Sequence, residues 1–259
     1  MRGSPQPVQA AYCLAKHFLD EVYGPSERRD LAALVSLEGN AIAPDREWPG
    51  VEVLMAGWLI PRVDEAFLER FPRLRAIFYA AGSIRSFATE AMWGRGIRVT
   101  TSAAANAVPV AEFTLSQIFF ALKQGWRQVR LYREMKDHAC RRSGPFPGGY
   151  RSTVALLSLG LIGRMVAERL KTFDLELIAY DPCVDAKTAR SLGVRLVSLE
   201  EAFAEADVVS CHTPLLPETL GMLRGRHFES MREGASFLNT ARGEIVDEAE
   251  LIAALRRRP

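Results

Sequence analysis

Residues Thr153 to Asp181, TVALLSLGLIGRMVAERLKTFDLELIAYD, constrain this chain more than any other stretch. An apolar run, Thr153 to Leu157, leads into Ser158-Leu159-Gly160-Leu161-Ile162-Gly163, and Ile162, Val166, Leu170 and Phe173 then recur at helical spacing. That order predicts strand, tight turn and helix. A second apolar run, Leu175 to Tyr180, ends on Asp181, eighteen residues after Gly163. This is the spacing of a βαβ unit that binds a dinucleotide and sets an acid against the adenosine ribose.

The glycines sit where that chemistry needs them. Gly160 lets the backbone come close to a pyrophosphate, Gly163 lets the helix pack on the strand, and the helix N-terminus offers unpaired N–H groups. The first glycine of G-x-G-x-x-G is replaced by Ser158, which can make a tight turn if its φ stays negative, so the match is weaker but not lost. An α/β turn that binds nothing is the alternative reading of the same residues. Asp181 would bond both ribose hydroxyls and repel a 2′-phosphate. No arginine follows at once in Asp181-Pro182-Cys183, so NAD is expected rather than NADP.

At 259 residues, with 48% hydrophobic and 25% charged residues, the chain has room for two globular domains. A net charge of +2 gives no argument for a nucleic-acid or membrane partner. Arg256-Arg257-Arg258 reads as the positive last turn of a helix. The N-terminus has no basic stretch followed by an apolar one, and no apolar run approaches transmembrane length, so a cytoplasmic protein is expected. Cys13, Cys140, Cys183 and Cys211 lack the C-x-x-C spacing of a zinc or redox site, and His17, His138, His212 and His227 show no metal-ligand spacing.

Along the chain, residues 1 to about 10 are expected to fray. A weak strand from Ala11, a helix near Glu27 to Leu37 and a strand Val51 to Met55 follow. Pro61 to Glu65 starts a helix that Phe71-Pro72 ends. The strand Leu74 to Tyr79 runs into Ala80-Ala81-Gly82-Ser83, which is either a ligand-binding loop at a carboxyl edge or a plain turn. Gly96 to Thr100 is a strand, Ala103 to Asn106 a small-residue connector where the domains cross, and Pro109 a first-turn residue ahead of a helix to Lys123. Residues 124 to 150 are polar and basic, and Ser143 to Gly149 form a loop. Beyond Asp181 come helices near Ala186 to Leu192, Leu199 to Glu205 and Arg226, and strands Val194 to Val197, Asp207 to Cys211 and Ala235 to Asn239. A last helix opens at Asp247 with a capping-box-like spacing to Glu250. Alternating strands and helices imply a doubly wound parallel sheet, here with five strands of a six-stranded plan.

The segment Asn239-Thr240-Ala241-Arg242-Gly243-Glu244-Ile245-Val246-Asp247 leaves the fifth strand at the carboxyl edge. Arg242 is a permanent planar cation there. It can pair with a carboxylate through two parallel hydrogen bonds and polarise a carbonyl, or simply stand solvated or salt-bridged at a helix start.

That segment, with His212-Thr213-Pro214-Leu215-Leu216-Pro217-Glu218-Thr219, Ala81-Gly82-Ser83-Ile84-Arg85, Val110-Ala111-Glu112 and Gly160-Leu161-Ile162-Gly163, resembles the D-isomer-specific 2-hydroxyacid dehydrogenases in the right order from about residue 50 onward. The resemblance implies an α/β chain of two domains: a flavodoxin-like substrate domain, 1–105, and a Rossmann-type NAD domain, 106–259, which usually forms the homodimer. It implies hydride transfer between NAD(H) and C2 of a small-molecule 2-keto or D-2-hydroxy acid. Arg242 matches the catalytic arginine. Gly82 and Ser83 match the loop whose N–H groups hold the substrate carboxylate. Gly160, Leu161, Ile162, Gly163 and Asp181 match the cofactor turn and acid, and His212, Thr213, Pro214, Thr240 and Ala241 match cofactor-lining positions. Beyond Ser83, Ile84-Arg85-Ser86-Phe87 replace the family's usual acidic residues, which leaves the acid open.

The family completes its site with a glutamate roughly thirty residues beyond the arginine and a histidine further on, whereas this chain ends seventeen residues after Arg242. A C-terminally truncated member, lacking the last strand of the NAD domain and the returning helix, is therefore expected, with impaired activity. His212 tempts as a stand-in proton donor but reads better as a positioning residue. A catalytically silent NAD(H)-sensing or protein-binding module of corepressor type is the alternative function.

Overall fold

A computed structural model describes residues 7–42, 46–136 and 148–257. His138, Cys140, residues 143–147, Arg258 and Pro259, on which parts of the sequence reading fall, lie outside them. The chain divides into two units, Met1–Asn106 and Ala107–Pro259.

In the first unit, β1 (Val8–Cys13), α1 (Lys16–Val22), α2 (Pro25–Ala32), β2 (Val35–Asn40), β3 (Val53–Ala56), α3 (Glu65–Glu69), β4 (Ala76–Tyr79), α4 (Glu90–Gly94) and β5 (Arg98–Thr101) follow one another. The strands form a parallel sheet in the order β2-β1-β3-β4-β5, the flavodoxin-like arrangement. Alternate side chains define two faces. Ala11, Cys13, Leu54, Ala56, Ile77 and Tyr79 pack against Phe67, Leu68 and Met92 of α3 and α4. Ala10, Tyr12, Val53 and Met55 pack against Phe18, Leu19, Val22 and Leu31 of α1 and α2. On that second face the cover stops short, and Phe78 of the inner strand β4 is half-exposed. Leu31, Leu34, Val53, Met55, Ala76 and Phe78 line an apolar groove of about 840 Å³ there.

Two expectations fail in this unit. Val8–Ala10, expected to fray, belong to β1, and Ala10 is fully buried. The helix expected to run to Leu37 stops at Ala32, and Val35–Asn40 instead pair in parallel with β1. Leu31, Leu34 and Leu37 gave a helical spacing, but Val35 and Leu37 also alternate, and sheet pairing decided between the two periods.

The helix α5 (Ala103–Leu122) absorbs the expected connector: Ala103–Asn106 are helical, and Pro109 lies inside the helix rather than in its first turn. The run of alanines, the best helix formers, outweighs the proline's preference for the first turn. At 20 residues, α5 is long and apolar enough by composition to cross a bilayer, contrary to the expectation that no run approaches that length. Its Ala111, Ile118, Ala121 and Leu122 nevertheless pack into the core of the second unit.

That unit continues with α6 (Gly125–Met135), a helix where the sequence suggests only a polar, basic stretch, because its arginines mask Trp126 and Val129. Then come β6 (Thr153–Leu157), α7 (Leu161–Leu170), β7 (Glu176–Tyr180), α8 (Ala186–Ser191), β8 (Arg195–Leu196), α9 (Leu199–Glu205), β9 (Val208–Cys211), α10 (Gly225–Ser230), β10 (Ser236–Asn239) and α11 (Glu248–Arg257). The parallel order β10-β9-β6-β7-β8 is that of a Rossmann-type doubly wound sheet. Every residue of β6 is buried, as a central parallel strand requires. One face packs on α5, α7 and α8 through Ile118, Val166, Leu170 and Ala189, and the other on α9, α10 and α11 through Phe203, Phe228 and Ala254. Phe173, expected on the face of α7, lies past its end against Phe119, ring centroids 4.5 Å apart. Asp247 caps α11 by accepting the Glu250 N–H at 3.1 Å, but the Glu250 carboxylate turns away to the Gly225 N–H at 2.7 Å, so the box is only half formed.

Candidate active site

The carboxyl edge of the second sheet gathers most of the sequence-derived candidates. At the end of β6, Ser158 has φ +76°, the left-handed region, so the condition of a negative φ is not met. The turn thus keeps the backbone a glycine would adopt, at a cost of about 1 kcal/mol for a residue with a side chain. Ser158 is held there from both sides: its N–H donates to the Tyr180 carbonyl at 2.8 Å and its hydroxyl to Thr213 Oγ1 at 3.2 Å.

Gly160 caps α7 in an extended conformation. A Cβ built on it meets nothing within 4 Å, so the space over the helix N-terminus is open to a ligand's approach. A Cβ on Gly163 would come 2.1 Å from the Ser158 carbonyl oxygen, so only glycine fits there. Leu161 is exposed and Ile162 half-buried on the first turn of α7. Asp181, at the end of β7, accepts the Leu159 N–H at 2.7 Å on one oxygen and the Cys183 N–H at 2.8 Å on the other. It thereby ties the glycine turn to β7. A carboxylate has about four acceptor sites, so capacity for two ribose hydroxyls remains. An open cradle at a helix N-terminus, with a carboxylate at the end of the neighbouring strand, fits a dinucleotide.

His212 and Thr213 follow β9. Thr213 is buried and its hydroxyl lies 3.4 Å from the Leu157 carbonyl; Pro214 is exposed, and its carbonyl accepts the Thr219 hydroxyl at 2.7 Å. The His212 ring lies 3.1 Å from Ser210 Oγ through Nε2 and 3.3 Å from Thr240 Oγ1 through Nδ1. Burial pushes its pKa down to about 4. Thr240 Oγ1 also lies 3.2 Å from Thr114 Oγ1 on α5, and the Thr114 hydroxyl donates to the Val110 carbonyl at 2.8 Å.

After β10 the Asn239 side chain shapes the turn, accepting the Ala241 N–H at 3.0 Å and donating to the Arg242 carbonyl at 2.8 Å. Arg242 is exposed, and Nη1 donates to the Ala241 carbonyl at 2.7 Å. Ser210, Thr114 and Asn239 were not singled out from the sequence. The signal that could have found Thr114 is a polar residue on the buried face of an otherwise apolar helix.

Gly82 and Ser83 belong to the first unit. They follow β4 at its carboxyl edge, Gly82 half-buried and Ser83 exposed, with Ser83 Oγ accepting the Arg85 N–H at 3.4 Å.

The strand order, the glycine turn and Asp181 define the second unit as a dinucleotide-binding domain of the Rossmann type. Residues 118–259 match the family described as D-isomer specific 2-hydroxyacid dehydrogenase, NAD binding domain, and the chain belongs to that family. It is 32% identical over 218 residues to the D-3-phosphoglycerate dehydrogenase of Mycobacterium bovis, covering 82% of this chain and 40% of that one. With the human D-3-phosphoglycerate dehydrogenase it shares 33% identity over 184 residues, 71% of this chain and 34% of that one. The chain thus spans two fifths or less of these curated relatives. Among solved structures, a D-lactate dehydrogenase from Aquifex aeolicus complexed with NAD and lactic acid has the same fold, with TM-score 0.74, 22% identity, and 96% of this chain and 74% of that one covered. A protein from Thermus thermophilus aligns with TM-score 0.75, 27% identity, and 96% and 78% coverage.

Proposed function

We propose that the chain is an NAD-dependent oxidoreductase acting between a 2-keto acid and a D-2-hydroxy acid. The observation that carries this is the pair Gly160 and Gly163, one opening onto free space above a helix N-terminus and the other pressed on the Ser158 carbonyl, beside an arginine-bearing turn. When bound, NAD accepts or supplies the hydride at its nicotinamide ring. The residues of this chain do the rest. The N-terminus of α7, with Gly160, Leu161, Ile162 and Gly163, holds the pyrophosphate. Asp181 holds the adenosine ribose and disfavours a 2′-phosphate, and His212, Thr213, Pro214, Thr240 and Ala241 line the nicotinamide side. Arg242 pairs with a substrate carboxylate and polarises the C2 carbonyl. In the first unit, the Gly82 and Ser83 N–H groups form the carboxylate-binding loop that the family resemblance implies. Residues 1–105 then serve as the substrate domain and 106–259 as the NAD domain.

The proton on the C2 oxygen needs a donor. General acid catalysis at that oxygen is worth about 10²–10⁴-fold. Trp126, Val129, Tyr132 and Met135 are exposed along α6, with Phe113 and Phe120 on α5, and this apolar area supports a homodimer. Free Cys13, Cys183 and Cys211 suit a cytoplasmic setting.

The test is NADH consumption by the chain with glyoxylate, hydroxypyruvate, pyruvate and phenylpyruvate, with Arg242→Ala as control. Turnover that the substitution abolishes is expected. Turnover unchanged in Arg242→Ala would remove the arginine from its role, and absence of NADH binding would sink the reading.

A further inference from the structure

Ser210, His212, Thr240 and Thr114 lie in one line across β9, the end of β10 and α5. Each hydroxyl carries one proton, so the line can be filled in only a limited number of ways. The Thr114 hydroxyl is 2.8 Å from the Val110 carbonyl, the back-bond of a helical threonine, and its proton is spent there. The contact to Thr240 must therefore be donated by Thr240. Its oxygen is left as an acceptor for His212 Nδ1–H. Nε2 is then bare and accepts from Ser210, whose side chain is fully buried. Reversing the direction would leave one contact with no proton in it, either Thr114 to Val110 at 2.8 Å or Thr240 to Thr114 at 3.2 Å.

We propose that His212 is a positioning residue, held as the neutral Nδ1–H tautomer, which clamps Thr240 to α5 and thereby sets the turn that carries Arg242. The inference rests on the dehydrogenase reading only for what Arg242 does. With both ring nitrogens engaged, His212 has no free proton to give to a substrate, which argues against it as the proton donor. Burial, which drives the imidazole toward its neutral form, acts in the same direction. The turn is fixed within itself by Asn239, but its attachment to the sheet's neighbouring layer runs through Thr240. A buried hydrogen bond left unmade is costly, so the clamp and the turn move together.

The experiment is long-range 1H–15N correlation on the 15N-histidine-labelled full chain, His212 being assigned by the signal lost in His212→Asn. A single neutral Nδ1–H pattern that does not change between pH 6 and 8 is expected. An Nε2–H pattern, or titration near the ordinary histidine value, overturns the proposal. Asparagine places its amide near Nδ1 and glutamine near Nε2, so His212→Asn should recover the clamp and His212→Gln should not. Amide exchange at Ala241 and Arg242 is expected to be about tenfold faster in His212→Gln and in Thr114→Val than in His212→Asn. NADH affinity should follow the same order. Equal exchange in the three variants overturns the positioning role. A wild-type chain that binds no NADH defeats the dehydrogenase reading, while the tautomer and the exchange rates still decide the clamp.

Discussion

Gly160 and Gly163 are three residues apart and would answer the same substitution differently. At Gly163 an added methyl meets backbone at 2.1 Å, which neither rotamer change nor side-chain movement can relieve. Gly163→Ala is expected to destabilise the chain by about 3 kcal/mol in urea unfolding. At Gly160 the methyl meets open space and φ is −72°, so Gly160→Ala should leave stability within about 0.5 kcal/mol of wild type. It should nevertheless weaken NADH binding about tenfold by fluorescence titration, because the methyl stands where a pyrophosphate would approach. Equal NADH affinity in Gly160→Ala would show that the open cradle is not the binding surface. Both glycines were legible in the sequence from their spacing. The conformation of Ser158 was not, because the surrounding hydrogen bonds to Tyr180 and Thr213, which hold it at positive φ, come from residues 22 and 55 positions away.

The end of β9 and the end of β10 are joined by one imidazole, and that junction should be visible in the pH dependence of stability. The pKa of His212 falls from 6.5 to about 4 on folding, through burial. Between those values the unfolded chain binds the more protons, so the contribution is complete above pH 6.5 and is lost as pH falls toward 4. Its size is about 3 kcal/mol. In paired urea titrations at pH 7 and pH 5, His212→Asn should lose less stability on acidification than the wild type, the carboxylates common to both cancelling. An identical loss in both would mean that the imidazole is already solvated. Elements with a clean single period were readable from sequence, as β6, α7, β7 and α9 show. β2 and α6 were not: Val35–Asn40 satisfies two periods at once, and in α6 the arginines at 127, 130 and 133 dilute the apolar residues between them. The cluster of Ser210, His212, Thr240 and Thr114 could not be assembled from spacing, because a hydrogen bond across 126 residues of chain has no local signature.

At the scale of the whole molecule, the exposed aromatic residues of α5 and α6 are the feature most open to association. Trp126 is 69% exposed and stands edge-on to Phe120, ring centroids 5.1 Å apart. Trp126→Asp is expected to turn a dimer into a monomer in sedimentation velocity at micromolar concentration, with the far-ultraviolet spectrum unchanged. A wild-type chain that sediments as a monomer would end the dimer reading. The parallel order of the second sheet has a consequence in time. Val154 of β6 lies beside Val208 of β9, 54 residues later in the chain. At about 5–20 residues per second of synthesis, β6 waits roughly 3–10 s after leaving the ribosome before this neighbour exists. For that interval a strand that is buried along its whole length in the finished unit has one bare edge, so slowing translation between residues 160 and 208 should raise the fraction that aggregates before release.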